Sequence, residues 1–75
     1  MAGVVSGRVT WQVWSWSDGH GRWLQLGEGT RREMENSAKR KYDAARKYGI
    51  TGAAFLATTE PPTRTPTALG IEVVP

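Results

Sequence analysis

Residues 9–26, VTWQVWSWSDGHGRWLQL, decide the fold of this 75-residue chain. They hold all four tryptophans and read as two strands joined by a polar, glycine-rich turn. Side chains alternate between the faces of a strand, so Val9, Trp11 and Val13 share one face and Trp14 and Trp16 the other. A turn centred on residues 18–21 sets Trp16 opposite Trp23 and Trp14 opposite Gln25, and leaves Leu24 and Leu26 on the face of Trp11 and Val13. Asp18-Gly19 and Gly21 supply the positive φ angles of a tight reversal. Such a hairpin is apolar on both sides, and one helix can cover only one of them. The other side is then a binding surface or an oligomer interface.

Length and composition narrow the choices. Seventy-five residues make one domain near the lower size limit for a self-sufficient core, so burial of surface in a partner, a second copy included, is expected. The chain has no cysteine and one histidine, which leaves neither a disulfide framework nor a zinc site, and no cofactor is expected. The longest strictly apolar run is residues 53–57 and the start, MAGVVSGR, lacks a basic segment followed by a long apolar one. Neither a membrane span nor a signal peptide is expected, and the cytoplasm is the expected location. Ten Lys and Arg against seven Asp and Glu give a net charge of +3, which permits acidic partners without demanding them.

Downstream of the hairpin the pattern changes period. Gly27, Glu28 and Gly29 end the second strand, and Thr30 with Glu33 three residues on forms a capping box. A helix is expected over residues 31–48, with Gly49 in the left-handed position that follows a helix. Met34, Ala38, Tyr42, Ala45 and Tyr48 fall on one side of it and mark the buried face, to be packed against Trp11, Val13, Leu24 and Leu26. Residues 50–58, ITGAAFLAT, read as a third strand. Residues 60–67 contain three prolines and cannot belong to a central strand. Residues 69–74, LGIEVV, are apolar again and fit a short fourth strand, an edge strand or an arm reaching a second subunit.

The expected architecture is α+β, a two-layer sandwich in β-β-α-β(-β) order with one helix on a small, mainly antiparallel sheet. Its domain occupies residues 1–59, followed by a Pro/Thr-rich linker at 60–68 and a C-terminal strand or arm at 69–75. With an aromatic hairpin spanning Trp11 to Trp23 and an Ala- and Arg-rich helix over 31–48, the first fifty-eight residues or so resemble the short β-β-α-β proteins of actinobacterial phages. That resemblance implies an origin more than an activity, with host proteins and nucleic acid as the partners such proteins bind. The three-strand, one-helix domains at the start of tyrosine recombinases are also similar in content, but they place the helix after all three strands.

Two surfaces are candidates for function. Trp14, Trp16 and Trp23 share one sheet face, and tryptophan is enriched at the centre of binding interfaces. The alternative is that this face is the core, with the helix packed on it or the C-terminal arm folded over it. The second surface is the helix side opposite Met34 and Ala38. There Arg32, Lys39 and Arg46 recur every seven residues, about 10 Å apart, beside a row of Arg40 and Lys47. This stripe could follow a phosphate backbone, or it could be a solvated face. Ser17, Asp18 and His20 sit in one turn, without the separate rigid supports a catalytic pocket requires, and Gly27-Glu28-Gly29-Thr30 lacks the lysine of a phosphate-binding loop. The reading is a non-enzymatic protein-binding module, a homodimer or a binder of a host protein through the tryptophan face. Nucleic-acid binding by the basic helix or by tryptophan stacking is the alternative. No catalytic residue, metal site, membrane contact or small-molecule substrate is expected.

Overall fold

A computed structural model describes residues 9–75. It contains β1 (Trp11–Ser17), β2 (Arg22–Gly29), α1 (Arg31–Lys47) and β3 (Ala53–Thr58), in β-β-α-β order. The strands form one antiparallel sheet in the order β2-β1-β3, and α1 packs on one of its faces as a second layer. This is the expected α+β sandwich. The first eight residues of the expected domain fall outside the described residues.

Ser17 O accepts from His20 N at 3.0 Å and Gly21 N at 2.8 Å. Gly21 takes a φ of 67°, whereas Asp18 and Gly19, expected to share that role, keep negative φ because a four-residue turn needs the left-handed conformation only at its exit. Trp16 pairs with Trp23 and Trp14 with Gln25, the register expected from the turn. Beyond that point a bulge intervenes, because Val13 pairs with Gly27 and Leu26 becomes the extra residue of β2. The sequence carries no period-two signal for this slip.

The helix is bounded by local chemistry at both ends. Thr30 Oγ1 accepts from Glu33 N at 3.1 Å while Thr30 N donates to Glu33 Oε1 at 2.9 Å, the reciprocal capping box. Hydrogen bonding from Thr30, its backbone N–H first and then its side chain, holds the Glu33 carboxyl below its usual pKa. At the other end Gly49, at φ 72°, donates to Arg46 O at 3.3 Å and Ile50 N donates to Ala45 O at 2.8 Å, a Schellman closure. Tyr48 is the C-cap rather than part of the buried stripe. Its backbone has left the helical region, and its side chain is 73% exposed. Of the remaining stripe Ala45 is buried, while Met34, Ala38 and Tyr42 are half-buried.

The third strand starts at Ala53, three residues later than expected from Ile50, because Gly52 is a junction rather than a strand residue. At φ 74° it accepts from Asp18 N (2.9 Å) and donates to Val74 O (2.9 Å), joining the hairpin turn, β3 and the C-terminal segment. Residues 69–74 form no strand. Bonds from Leu69, Gly70 and Ile71 to carbonyls of residues 65–67 fold them into turns, and only Val74 N reaches β3, at Ala53 O (2.7 Å).

The core is small and differs from the expected one. Val13, Ala45, Ala53, Ala54 and Val74 are the buried hydrophobic residues described, and Ala45, Ala53 and Val74 pack together with Tyr42 and Phe55. Leu24 and Leu26 are instead 44% and 47% exposed. Two causes combine: the bulge sets Gly27 against Val13 in place of a leucine, and α1 lies over β3 and β1, reaching β2 least. Trp11 is half-buried at the helix start, with the Arg31 guanidinium 5.3 Å from its ring.

Candidate binding surfaces

The face of the sheet away from α1 holds the three tryptophans singled out above. Cross-strand register brings Trp16 and Trp23 together, with ring centroids 5.6 Å apart and planes tilted by 59°. Trp14 lies two residues along β1, opposite Leu56, and Ala54, opposite Trp16, is completely buried. Each indole N–H has an acceptor within the chain. Trp14 Nε1 donates to Gln12 Oε1 (3.1 Å), Trp16 Nε1 to Asp18 Oδ1 (2.8 Å) and Trp23 Nε1 to Arg64 O (2.7 Å).

The last of these bonds places the proline-rich segment. From Thr58 on one edge of the sheet the chain crosses to Trp23 on the other, buries Pro66, and returns to the start of β3 at Val74. All three tryptophans are half-buried. The prolines suit this role, since a segment that lies across a sheet without joining its ladder needs few N–H donors. Nothing in the sequence paired residues 60–66 with Trp23. The only available signal was that Pro61, Pro62 and Pro66 are the sole apolar groups of that stretch.

The return leg ends on the helix side, where Ile71 and Glu72 line a shallow groove with Ala38, Lys39, Tyr42 and Phe55. Among the described residues the Tyr42 hydroxyl is shut off from solvent and closes no hydrogen bond of good geometry. Burial, reinforced by the neighbouring Glu72 carboxylate, raises its pKa above the ordinary phenol value.

The second surface is the outer side of α1. Arg32, Lys39, Arg40, Arg46 and Lys47 are all exposed, as is Lys41. Among the described residues the only salt bridge is Arg31 Nε to Glu35 Oε2 at 3.2 Å, so none of the five candidate cations is in one. Lys47 Nζ stands 5.7 Å from the ring of Tyr48. Charge is segregated along the chain. Residues 31–47 carry seven Lys and Arg against three Asp and Glu, a net +4, while the rest carries three against four, a net −1.

The turn residues Ser17, Asp18 and His20 are not brought together for chemistry. Asp18 Oδ1 is taken by the Trp16 indole and its Oδ2 stands 3.0 Å from where a Cβ on Gly52 would be, while His20 is exposed. Among the described residues no three His, Cys, Asp or Glu side chains cluster as metal ligands do, and no helix is long and apolar enough to cross a membrane. Comparison with known proteins found no matching family model, no matching curated protein and no matching solved structure.

Proposed function

We propose that the protein is a non-enzymatic binding module that docks on nucleic acid through the outer face of α1. The observation that carries this reading is the placement of charge: a net +4 on one 17-residue helix, with its outward cations outside any described salt bridge, on a chain that is otherwise slightly acidic. A row of cations at one-heptad spacing meets phosphates without needing base contacts, so sequence-tolerant, salt-sensitive binding is expected. The tryptophan face supports this choice indirectly. Its indole donors are already engaged and a segment of the same chain lies on it, which leaves less of it for a partner.

Self-association is the second reading, favoured by the exposed Leu24 and Leu26 on a strand whose outer edge nothing described here covers. A host protein as partner and a phage origin rest on the resemblance of the hairpin and helix, and are compatible with either reading.

The test is fluorescence anisotropy with a short duplex and a single strand at two salt concentrations. The unmodified protein is expected to bind the duplex with a steep salt dependence. Arg32→Gln, Lys39→Gln and Arg46→Gln together should abolish binding at the higher salt and flatten the slope by roughly one unit per lost contact. Glutamine preserves the helix, so circular dichroism should not change. Absence of binding at low salt, or an unaltered slope in the triple variant, would overturn the reading. A preference for the single strand that Trp14→Ala removes would move the site to the aromatic face.

A further inference from the structure

We infer that β2 is the seam of a homodimer, in which the outer edges of two copies pair antiparallel about a two-fold axis at Leu24. The two edges of the sheet are treated differently. Beside β3 the C-terminal segment is hydrogen-bonded to Gly52 and Ala53 through Val74, whereas among the described residues nothing pairs with the outer edge of β2. Along its first half, residues 22–25, RWLQ, that edge carries neither lysine nor proline, and its one charge, Arg22, stands at the turn end.

The register follows from which backbone groups are free. Asp18 N donates to Gly52 O, so the even residues of β1 bond to β3 and the odd ones to β2. Ser15 and Ser17 therefore bond to Leu24 and Arg22, and Trp23 and Gln25 turn their N–H and C=O groups outward. A second copy that sets its Gln25 against Trp23, and its Trp23 against Gln25, satisfies all of these groups at once. Leu24 then faces its own counterpart across the axis, on the helix side of the sheet, at the place α1 leaves uncovered. The bulge at Leu26 ends the seam, so the contact is short and the dimer concentration-dependent.

An edge-paired dimer of this kind is one six-stranded sheet with both helices on the same face. With strands about 4.8 Å apart, the helices lie roughly 20 Å from each other, beyond the screening length at physiological salt, so their like charges do not oppose assembly strongly. The pair of basic helices would double the cationic surface proposed above. The dimer itself rests only on the edge geometry and is tested without nucleic acid.

The chain has no cysteine, which makes the register directly testable. Leu24 and its counterpart form a non-hydrogen-bonded cross-strand pair, with a Cα separation of about 4.5 Å, within disulfide range. Leu24→Cys in the full chain should oxidise to a covalent dimer, whereas Leu69→Cys, a control at an exposed residue off the sheet, should remain largely monomeric. In sedimentation equilibrium the unmodified protein should rise with concentration from 8.3 kDa towards twice that mass. Leu24→Lys and Gln25→Pro should each weaken association about tenfold or more with an unchanged far-ultraviolet spectrum. Proline there removes only an outward-facing N–H. A monomeric mass at millimolar concentration, or equal cross-linking of both cysteine variants, would overturn the seam. So would a dimer that survives Leu24→Lys and Gln25→Pro. None of these outcomes bears on nucleic-acid binding by the monomer, and failure of the glutamine test would leave the seam standing.

Discussion

The indole nitrogen of Trp23 donates to the carbonyl of Arg64 at 2.7 Å, across forty-one positions of chain. This bond ties the far edge of the sheet to a segment that belongs to no strand or helix. It gives the proline-rich stretch a fixed path, along which Pro66 is buried before Val74 joins Ala45 and Ala53 in the helix-side core.

Replacing that tryptophan by phenylalanine keeps an aromatic ring beside Trp16 and removes the donor. Trp23→Phe should cost about 1 kcal/mol in urea unfolding and speed amide exchange at residues 66–74 ahead of exchange in β1. If exchange accelerates uniformly, the segment is not held independently by this bond.

The two alanines central to the helix stripe should respond differently to a charge. Ala45 is buried at 4% exposure, so Ala45→Asp places an unpaired charge in the core and should unfold the domain. Ala38 is only half-buried beside the open groove, so Ala38→Asp should leave a folded protein with a lowered melting temperature. Thermal melts followed at 222 nm separate the two, and equal unfolding by both would contradict the burial.

Acidification should act through the capping box. The Glu33 carboxyl has a pKa lowered in the folded state by its bond from Thr30 N, so its stabilising contribution is present above the unfolded value of 4.5 and is lost as pH falls through the folded value. Glu33→Gln keeps an acceptor for Thr30 N and should flatten stability against pH in that acidic window. The Glu33 pKa read by carbon-13 titration should lie below 4.5, and a value at or above it would refute the bond.

At Gly52 a side chain is excluded twice, by a φ of 74° and by Asp18, whose Oδ2 would lie 3.0 Å from a Cβ. At Gly21, with φ 67°, no other described residue beyond its chain neighbours lies within 4 Å of an added Cβ. Gly52→Ala should therefore destabilise more than Gly21→Ala, which carries only a backbone cost of about 1 kcal/mol. Combining Gly52→Ala with Asp18→Ala should recover part of the difference.

Much of the fold was legible because it is encoded locally. The turn at residues 18–21, the pairing of Trp16 with Trp23, the Thr30–Glu33 box and the Gly49 stop each rest on neighbours a few residues apart. The bulge at Leu26 was not legible, since one extra residue leaves no trace in a strand ending Gly27-Glu28-Gly29. That slip, together with a helix lying over β3 and β1, exposes Leu24 and Leu26, which alternation alone would bury. The cover over the tryptophans was open for a different reason. Prolines announce that residues 60–66 avoid a ladder, but no local pattern says which surface they cross. The exposure of the basic stripe was legible from the wheel, whereas its freedom from salt bridges required the side chains of Glu33, Glu35 and Asp43 to be placed.

The position of α1 over β3 and β1 also governs how the chain can reach this state. Hairpin and helix are contiguous and each forms from nearby residues, yet they bury little against each other until β3 arrives. The contact that brings it, β1 with β3, joins Gln12 to Thr58 and Ser17 to Ala53, among the longest loops the chain can close. Closing that loop, rather than forming either local element, is the slow step expected of folding. A chain still emerging from the ribosome with residue 52 just exposed would have its turn and its helix, but no layer on which to set Ala45.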